Sequence, residues 1–409
     1  MNIYDIIIIG GGIAGLNCAY KISELTPNYK ILLLDERKYL GGRILTYYDK
    51  DIHYELGAGR FNTIHKNLLT LINKFNLTKI EIASDNDTKY LDSSKILTKN
   101  LFNKIIKKII NKFNKINPNN LKKFTFKELC YKYYDRKYIN KIIKYFCYKS
   151  EFEILNAYNA LETFKKNFSG KNKFYVLKEG LSELCKRMSE KCIKNGVIIK
   201  SNSLVNNINN NDKLFNIEIN KSQNNYYGKN IIFAVKKNDL LKFNILKPIR
   251  KVLNSVKSTQ LLRIYAYYPT SKLWFKNFNK IVTDTKLKFI IPINEKYGII
   301  MISYTDYKDT LPFIDTNNKL KNDNVIINII NNELKKIFNF DIPNPIKINS
   351  YYWINGCHYW KKNYDSDLIS KYLINPIDNI YICGEAYSKN QAWIEGALET
   401  SNKVCKKFN

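Results

Sequence analysis

A chain of 409 residues that is 45% hydrophobic and 25% charged has the composition of a soluble globular protein, with room for about two to three domains. Its eight cysteines (Cys18, Cys130, Cys147, Cys185, Cys192, Cys357, Cys383, Cys405) form no Cys-x-x-Cys pair, which argues against a zinc site or a disulfide framework; no metal is expected, and a reducing compartment fits. The formal charge of +31, from 67 Lys and Arg against 36 Asp and Glu, says less: Lys, Asn, Ile and Tyr are abundant together, as codon bias produces, and a nucleic-acid or other polyanionic partner is the alternative.

The chain enters directly on "NIYDIIIIGGG", without the charged and apolar regions of a signal peptide. No run approaches the ~20 apolar residues that span a bilayer. The expectation is a soluble, cytoplasmic or otherwise intracellular protein without a transmembrane anchor.

Ile6 to Ile9 form a continuous apolar run, the mark of a strand covered on both faces. A glycine turn, a helix and a second strand, "KILLLD", follow, so the chain opens with a βαβ unit of an α/β sheet. The turn is Gly10, Gly12 and Gly15, with Ile13 and Ala14 between them, in a G-x-G-x-x-G pattern. The first glycine permits the tight turn, the second lets backbone approach a pyrophosphate, and the third allows close helix–strand packing. The helix N-terminus adds N–H donors for phosphate. Asp35 ends the second strand 20 positions after Gly15 (35 − 15), where a carboxylate can accept hydrogen bonds from ribose hydroxyls.

Between about 95 and 165 the texture turns helical. "LFNKIIKKIINKFNKI" spaces Phe102, Ile105, Ile106, Ile109, Ile110, Phe113 and Ile116 along one helix face, and "NPNN" at 117–120 ends that helix. This basic amphipathic helix, 101–116, is expected to pack on its own domain; a membrane surface or nucleic acid is the alternative. Strands return in "GVIIKSNSLVNNI", "LFNIEI" and "NIIFAV", with the Asn-rich "NNINNND" and "SQNNYYG" read as turns or loops. "LLRIYAYYP", "FIIPI" and "YGIIMISYTD" predict an antiparallel sheet, and "NVIINIINNELKKIF" a helix. "NIYICGEAY" is a last buried strand and glycine turn, running into a helix at "WIEGALETSNKVCKKF".

The glycine loop does not say which dinucleotide is bound, but its continuation does. Asp35, Arg37, Gly41, Gly42 and Arg43 follow the pattern E-x-R-x-x-x-G-G-R, with Asp for Glu, and "NIYICGEAYSKNQAWIEGALETS" lies over 300 residues downstream. In both stretches the chain resembles the flavin-containing amine oxidase family, and its composition is similar to that of amine-oxidase-like proteins of large DNA viruses. The resemblance implies FAD, with Asp35, and Glu36 and Arg37 beside it, at the adenosine ribose, and Gly42 and Arg43 at the pyrophosphate. It implies that Gly57, Ala58, Gly59 and Arg60 of "ELGAGRF" come near the flavin and that Val205 meets the adenine through its backbone. Gly384 and Glu385 would lie by the pyrophosphate and ribityl chain, and the helix starting at Trp393 and Ile394 would point at the flavin's pyrimidine edge.

The same resemblance implies an α/β fold: a Rossmann-like FAD-binding domain (1–75, 168–258 and 350–409) interrupted by a helical insert (76–167) and a mixed α+β substrate domain (259–349). It implies oxidation of a small amine by hydride transfer to flavin N5, imine hydrolysis, and reoxidation by O2 with release of H2O2. Trp393 and either Tyr359 or His358 would be the aromatic groups before the flavin. Arg263 stands where the family commonly has a lysine bonded through water to N5; arginine cannot lose its proton, so it would hold the water, stabilise negative charge on reduced flavin, or pair with a substrate carboxylate. Cys357 falls near a position of thioether attachment, but non-covalent FAD is the expectation. The net charge disfavours polyamines, and Arg263 or Arg60 would meet the carboxylate of an amino acid. The other readings are a related FAD oxidoreductase of desaturase or protoporphyrinogen oxidase type, and a flavin-binding protein with a basic nucleic-acid surface.

Overall fold

The run Ile6–Ile9 becomes the last four residues of the strand Ile3–Ile9, and all four isoleucines are buried. Covering both faces of such a strand contributes about 1.5–3 kcal/mol per side chain. The strand pairs in parallel with Ile31–Leu34 on one side and Asn225–Phe233 on the other. Ile198–Lys200 extends the first side. On the second, Asn225–Phe233 forks: its end pairs in parallel with Ile380–Ile382, and its beginning pairs antiparallel with Leu214–Ile219, followed by Val205–Asn211. The computed structural model describes residues 3–82, 88–91, 99–167, 172–211, 214–219 and 225–408.

Two turn expectations are corrected here. Residues 206–211 of "NNINNND" belong to the strand Val205–Asn211 rather than a turn, and 212 lies outside the described residues: Val205 and Ile208 are buried and their ladder partners Ile219 and Ile217 are buried too, while the asparagines at 206 and 209 face solvent. Tertiary pairing with an alternating partner overrides the weak strand propensity of asparagine. Of "SQNNYYG", Asn225 to Gly228 already belong to a strand, and 222–224 lie outside the described residues. "NPNN" does more than end a helix. Asn117 accepts from the Asn119 N–H at 2.9 Å and caps the short helix Pro118–Leu121.

A second sheet of six strands has the order Lys347–Trp360, Val256–Tyr267, Ile299–Asp306, Phe289–Asn294, Ile281–Thr283, Lys89–Leu91. Neighbours are antiparallel except the last pair. The strand Lys347–Trp360 runs along Val256–Tyr267 for its whole length, so residues 350–360 lie in this sheet and not in the nucleotide-side one. The helical insert supplies Lys99–Phe113, Phe126–Tyr133, Arg136–Tyr145, Lys149–Glu153 and Ala157–Asn167. In the first of these, Phe102, Ile106, Ile109, Ile110 and Phe113 are buried in one cluster with Phe126, Phe152 and Phe164. The apolar face that a membrane would need is already covered by its own domain. Among the described residues no helix is long and apolar enough to cross a membrane, and the eight cysteines are free thiols.

Candidate active site

A cavity of about 910 Å³ is lined by residues of both sheets. One end is the glycine loop. Gly10 has φ 107°, and a Cβ on Gly15 would stand 1.9 Å from the Gly10 carbonyl oxygen, so only glycine lets the helix Ile13–Leu25 start this close to the strand. That helix has Gly12 at its N-cap, no side-chain cap and no acid in its first turn, which leaves its first N–H groups free toward the cavity. Asp35 is buried at the cavity wall and accepts from the N–H groups of Gly11 (2.6 Å) and Arg37 (2.7 Å). Burial raises its pKa against those two hydrogen bonds, and its oxygens keep further lone pairs for a ligand. Glu36, Arg37, Gly42 and Val205 line the same end, and the ladder shifts register just after Val205.

Further along, the side chains of Arg43 and Glu385 form an ion pair, and Arg43 also donates to the Gly356 carbonyl at 3.0 Å. Burial alone would raise the Glu385 carboxyl; the charge of Arg43 and the hydrogen bonds of Arg43 and His358 outweigh it and bring its pKa down to about 2. His358 is buried, which lowers its pKa despite Glu385. As a neutral ring 2.8 Å from an ionised carboxylate, it donates through Nδ1. One oxygen of Glu385, Oε2, is buried at the cavity wall with no hydrogen-bond partner among the described residues, beside Gly384, where a Cβ would meet open space. Gly57 and Ala58, which line the cavity here, brace Arg43: the Ala58 N–H donates to the Arg43 carbonyl at 3.0 Å, and a Cβ on Gly57 would collide with that carbonyl.

The other end is made of side chains. Cys357 and Tyr359 line the cavity, whereas His358 between them does not, because successive residues of the strand Lys347–Trp360 face opposite ways. The expectation that either Tyr359 or His358 faces the reacting end is therefore corrected for His358, which serves Glu385 from behind. Trp393 and Ile394 open the closing helix into the cavity. Trp393 is held edge-on by His65 at 4.7 Å, and burial takes His65 down to about 4, so this contact involves a neutral imidazole. The acid in that helix's first turn, Glu395, turns away and accepts from the N–H groups of Asn67 and Leu68, capping the helix Lys66–Lys74. Ala58, Gly59 and Arg60 line the cavity, with Arg60 over the Phe174 ring at 4.6 Å.

Arg263 is buried at the cavity wall, donates to the Glu55 carbonyl at 2.7 Å, and lies over the Tyr304 ring at 4.7 Å. Tyr265 donates to the same carbonyl at 2.5 Å. Burial opposes the Arg263 charge, but Tyr265 and Tyr304 outweigh it, and the guanidinium stays protonated. A Cβ on Gly59 would stand 2.7 Å from its Nη1, so Gly59 makes room for the guanidinium. Sequence reasoning missed Tyr148, Glu151, Phe289 and Tyr304, which also line this end. They come from the helical insert and from the strands Phe289–Asn294 and Ile299–Asp306, and nothing in their local spacing set them apart from core or surface positions.

Residues 8–75 match the model of an NAD(P)-binding Rossmann-like domain, and residues 139–407, more than half the chain, match that of the flavin-containing amine oxidoreductases. An uncharacterised protein of Acanthamoeba polyphaga mimivirus is 37% identical over 81 residues, 19% of this chain and 16% of that protein. An L-amino-acid oxidase of Crotalus adamanteus is 32% identical over 85 residues, 21% of this chain and 16% of its own. The chain thus matches about a sixth of the length of these curated relatives. A putrescine oxidase structure superposes with a TM-score of 0.81 at 12% identity, covering 99% of both chains, which establishes the shared fold. On the match over 139–407, together with the Rossmann-like start, this chain belongs to the flavin-containing amine oxidoreductase family.

Proposed function

We propose that the chain is an FAD-dependent amine oxidase. The observation that carries this reading is the continuity of one cavity, from the uncapped helix start at Gly12 to the walls formed by Tyr359, Trp393 and Arg263. FAD fits the residues present: free N–H groups and a glycine cradle suit a pyrophosphate, and the partnerless Glu385 Oε2 suits a hydroxyl donor. Asp35 and Val205 would hold the adenosine, Gly12, Gly42 and Arg43 the pyrophosphate, Gly384 and Glu385 the ribityl chain, and the helix start at Trp393 and Ile394 the flavin edge.

When bound, FAD supplies the acceptor for the amine's α-hydride equivalent and passes the electrons to O2, giving H2O2. The chain's own part is to orient the amine and exclude water. Tyr359 and Trp393 offer apolar ring surface, and Arg263 a fixed positive charge that cannot act as a base. The imine product hydrolyses in water. Burial pushes the Cys357 thiol up to about 12, so the nucleophilic thiolate is scarce, and we read the FAD as non-covalently held. Acid precipitation that leaves the yellow colour in solution is the expected result.

Arg263 is the observation that favours a second reading, a related FAD oxidoreductase acting on a non-amine substrate. Anaerobic addition of a panel of primary, secondary and α-amino amines separates the two. Bleaching of the flavin absorbance by at least one of them is expected; an unbleached flavin across the panel removes the amine assignment.

A further inference from the structure

The short helix Lys149–Glu153 carries a carboxylate that the site described so far leaves unused. Glu151 is only 8% exposed and lines the cavity together with Tyr148 and Tyr359. Among the described residues no donor hydrogen-bonds its carboxylate. Its helix neighbours are committed elsewhere. The N–H groups of Lys149 and Ser150 donate to Asp306 at 2.9 and 3.1 Å, the Lys149 side chain pairs with Asp309, and Glu153 pairs with Lys127 and Lys308. A buried carboxylate without a donor is costly, and the cavity is the direction from which a donor could come.

The other groups at this end are poorly suited to accept a proton. Arg263 stays charged, and burial raises the phenols of Tyr148, Tyr304 and Tyr359 and the thiol of Cys357, keeping each protonated. Of the nearby carboxylates, Glu55 accepts from Thr46 Oγ1 (2.8 Å) and the Leu181 N–H (2.7 Å), and Glu385 is paired with Arg43. Charged and titratable groups facing Glu151 are Asp306, which raises its pKa, and Arg60, which lowers it; burial is the largest influence and takes it up to about 8. Asp306 itself is raised to about 7, chiefly by burial.

An aliphatic amine reaches the protein mostly as an ammonium ion, since its pKa is near that of lysine, about 10.4. Losing a hydride from the α-carbon requires the nitrogen lone pair, so one N–H proton must leave first. Building on the amine oxidase reading, we propose that Glu151 is a catalytic residue whose carboxylate receives the substrate's ammonium group and takes that proton. The step converts R–CH2–NH3⁺ and carboxylate into R–CH2–NH2 and carboxylic acid. One N–H bond breaks, one O–H bond forms, the opposite charges cancel, and no electrons leave either molecule. The substrate class is then an amine with a protonatable nitrogen and at least one N–H, bound in its cationic form.

The test compares kcat/KM against pH for the FAD-loaded wild type, Glu151→Gln and Glu151→Asp. At about pH 9, above the raised pKa of Glu151 and below that of the amine, Glu151→Gln should lose about 10²–10⁴-fold, the range of general-base catalysis. Its deficit should shrink below about pH 8, where the wild-type carboxyl is itself protonated, and again above about pH 10, where free amine becomes abundant, while Glu151→Asp shows a smaller loss at every pH. Calorimetry with tetramethylammonium, which cannot be oxidised through an N–H nitrogen, gives a readout without turnover. At about pH 9 the wild type should bind it roughly tenfold more tightly than Glu151→Gln, the scale of one charge-assisted contact. A Glu151→Gln deficit that is equal at every pH, or equal binding of the cation by both proteins, overturns the assignment of Glu151 alone. A wild type that oxidises no amine overturns the functional reading and this proposal with it.

Discussion

At the glycine end of the cavity the wall is largely backbone: Gly10, Gly12 and Gly42 line it without side chains, Gly15 packs the helix against the strand behind them, and Asp35 is pinned by the N–H groups of Gly11 and Arg37. At the opposite end the wall is side chains, with Tyr359, Trp393, Arg263 and Glu151 arriving from four separate elements. A backbone wall tolerates almost no added atom, because the neighbouring carbonyls cannot rotate away. A side-chain wall is set by charge and ring orientation, so it can change specificity without disturbing the fold. The first end would fix a cofactor common to many proteins; the second would choose what reacts.

The sharpest way to break this contrast is at Gly15. In Gly15→Ala the new Cβ would sit 1.9 Å from the Gly10 carbonyl oxygen, so helix and strand must separate. We expect a loss of about 3 kcal/mol or more and no retained flavin after gel filtration; a variant that stays yellow with an unchanged Tm would contradict the backbone account. Arg43→Ala comes next. It leaves Glu385 buried without its cation, and such broken pairs cost about 3–5 kcal/mol. Denaturant unfolding should show that loss, and the additional replacement Glu385→Gln should recover part of it.

These two positions also show what could be read from the sequence. The βαβ start, the two signature stretches and the antiparallel second sheet were legible because each depends on local spacing: glycines at fixed offsets, or apolar residues at period two. Arg43 and Glu385 stood out in the signature stretches, but their pairing, and the hydrogen bond of His358 to Glu385, did not. Those contacts join segments more than 300 residues apart, or depend on which face of a strand a side chain takes. Glu151 was hidden for the same reason, since its neighbours Tyr359 and Asp306 lie on strands of the second sheet. The Asn-rich strand Val205–Asn211 was hidden because its composition favours turns and only its partner strand makes it extended.

Smaller effects sharpen the contrast on the side-chain end. Gly59→Ala places a Cβ 2.7 Å from Arg263 Nη1, and a guanidinium can shift where a carbonyl cannot. The expected outcome is a protein that folds and keeps flavin but has a KM raised by roughly threefold to tenfold, about 1 kcal/mol of positioning. The smallest effect is on stability against pH. Glu151 holds its proton in the folded protein up to about 8 but loses it near 4.3 when unfolded, so the folded state binds more protons between these values. Its contribution to wild-type stability therefore falls as pH rises through that window and levels off above it. Tm measured without cofactor or substrate should show Glu151→Gln gaining on the wild type from about pH 5 to about pH 8. A constant offset across that range would mean that Glu151 is not held in its neutral form.

The division of the cavity into a cofactor end and a reacting end is tested most directly by a crystal structure of the protein with FAD bound. The account predicts adenosine at Asp35 and Val205, pyrophosphate at Gly12, Gly42 and Arg43, and the flavin ring at the end walled by Trp393 and Tyr359, open toward Glu151. A flavin ring lying away from Trp393 and Tyr359, or a cofactor whose adenosine avoids Asp35, would contradict it.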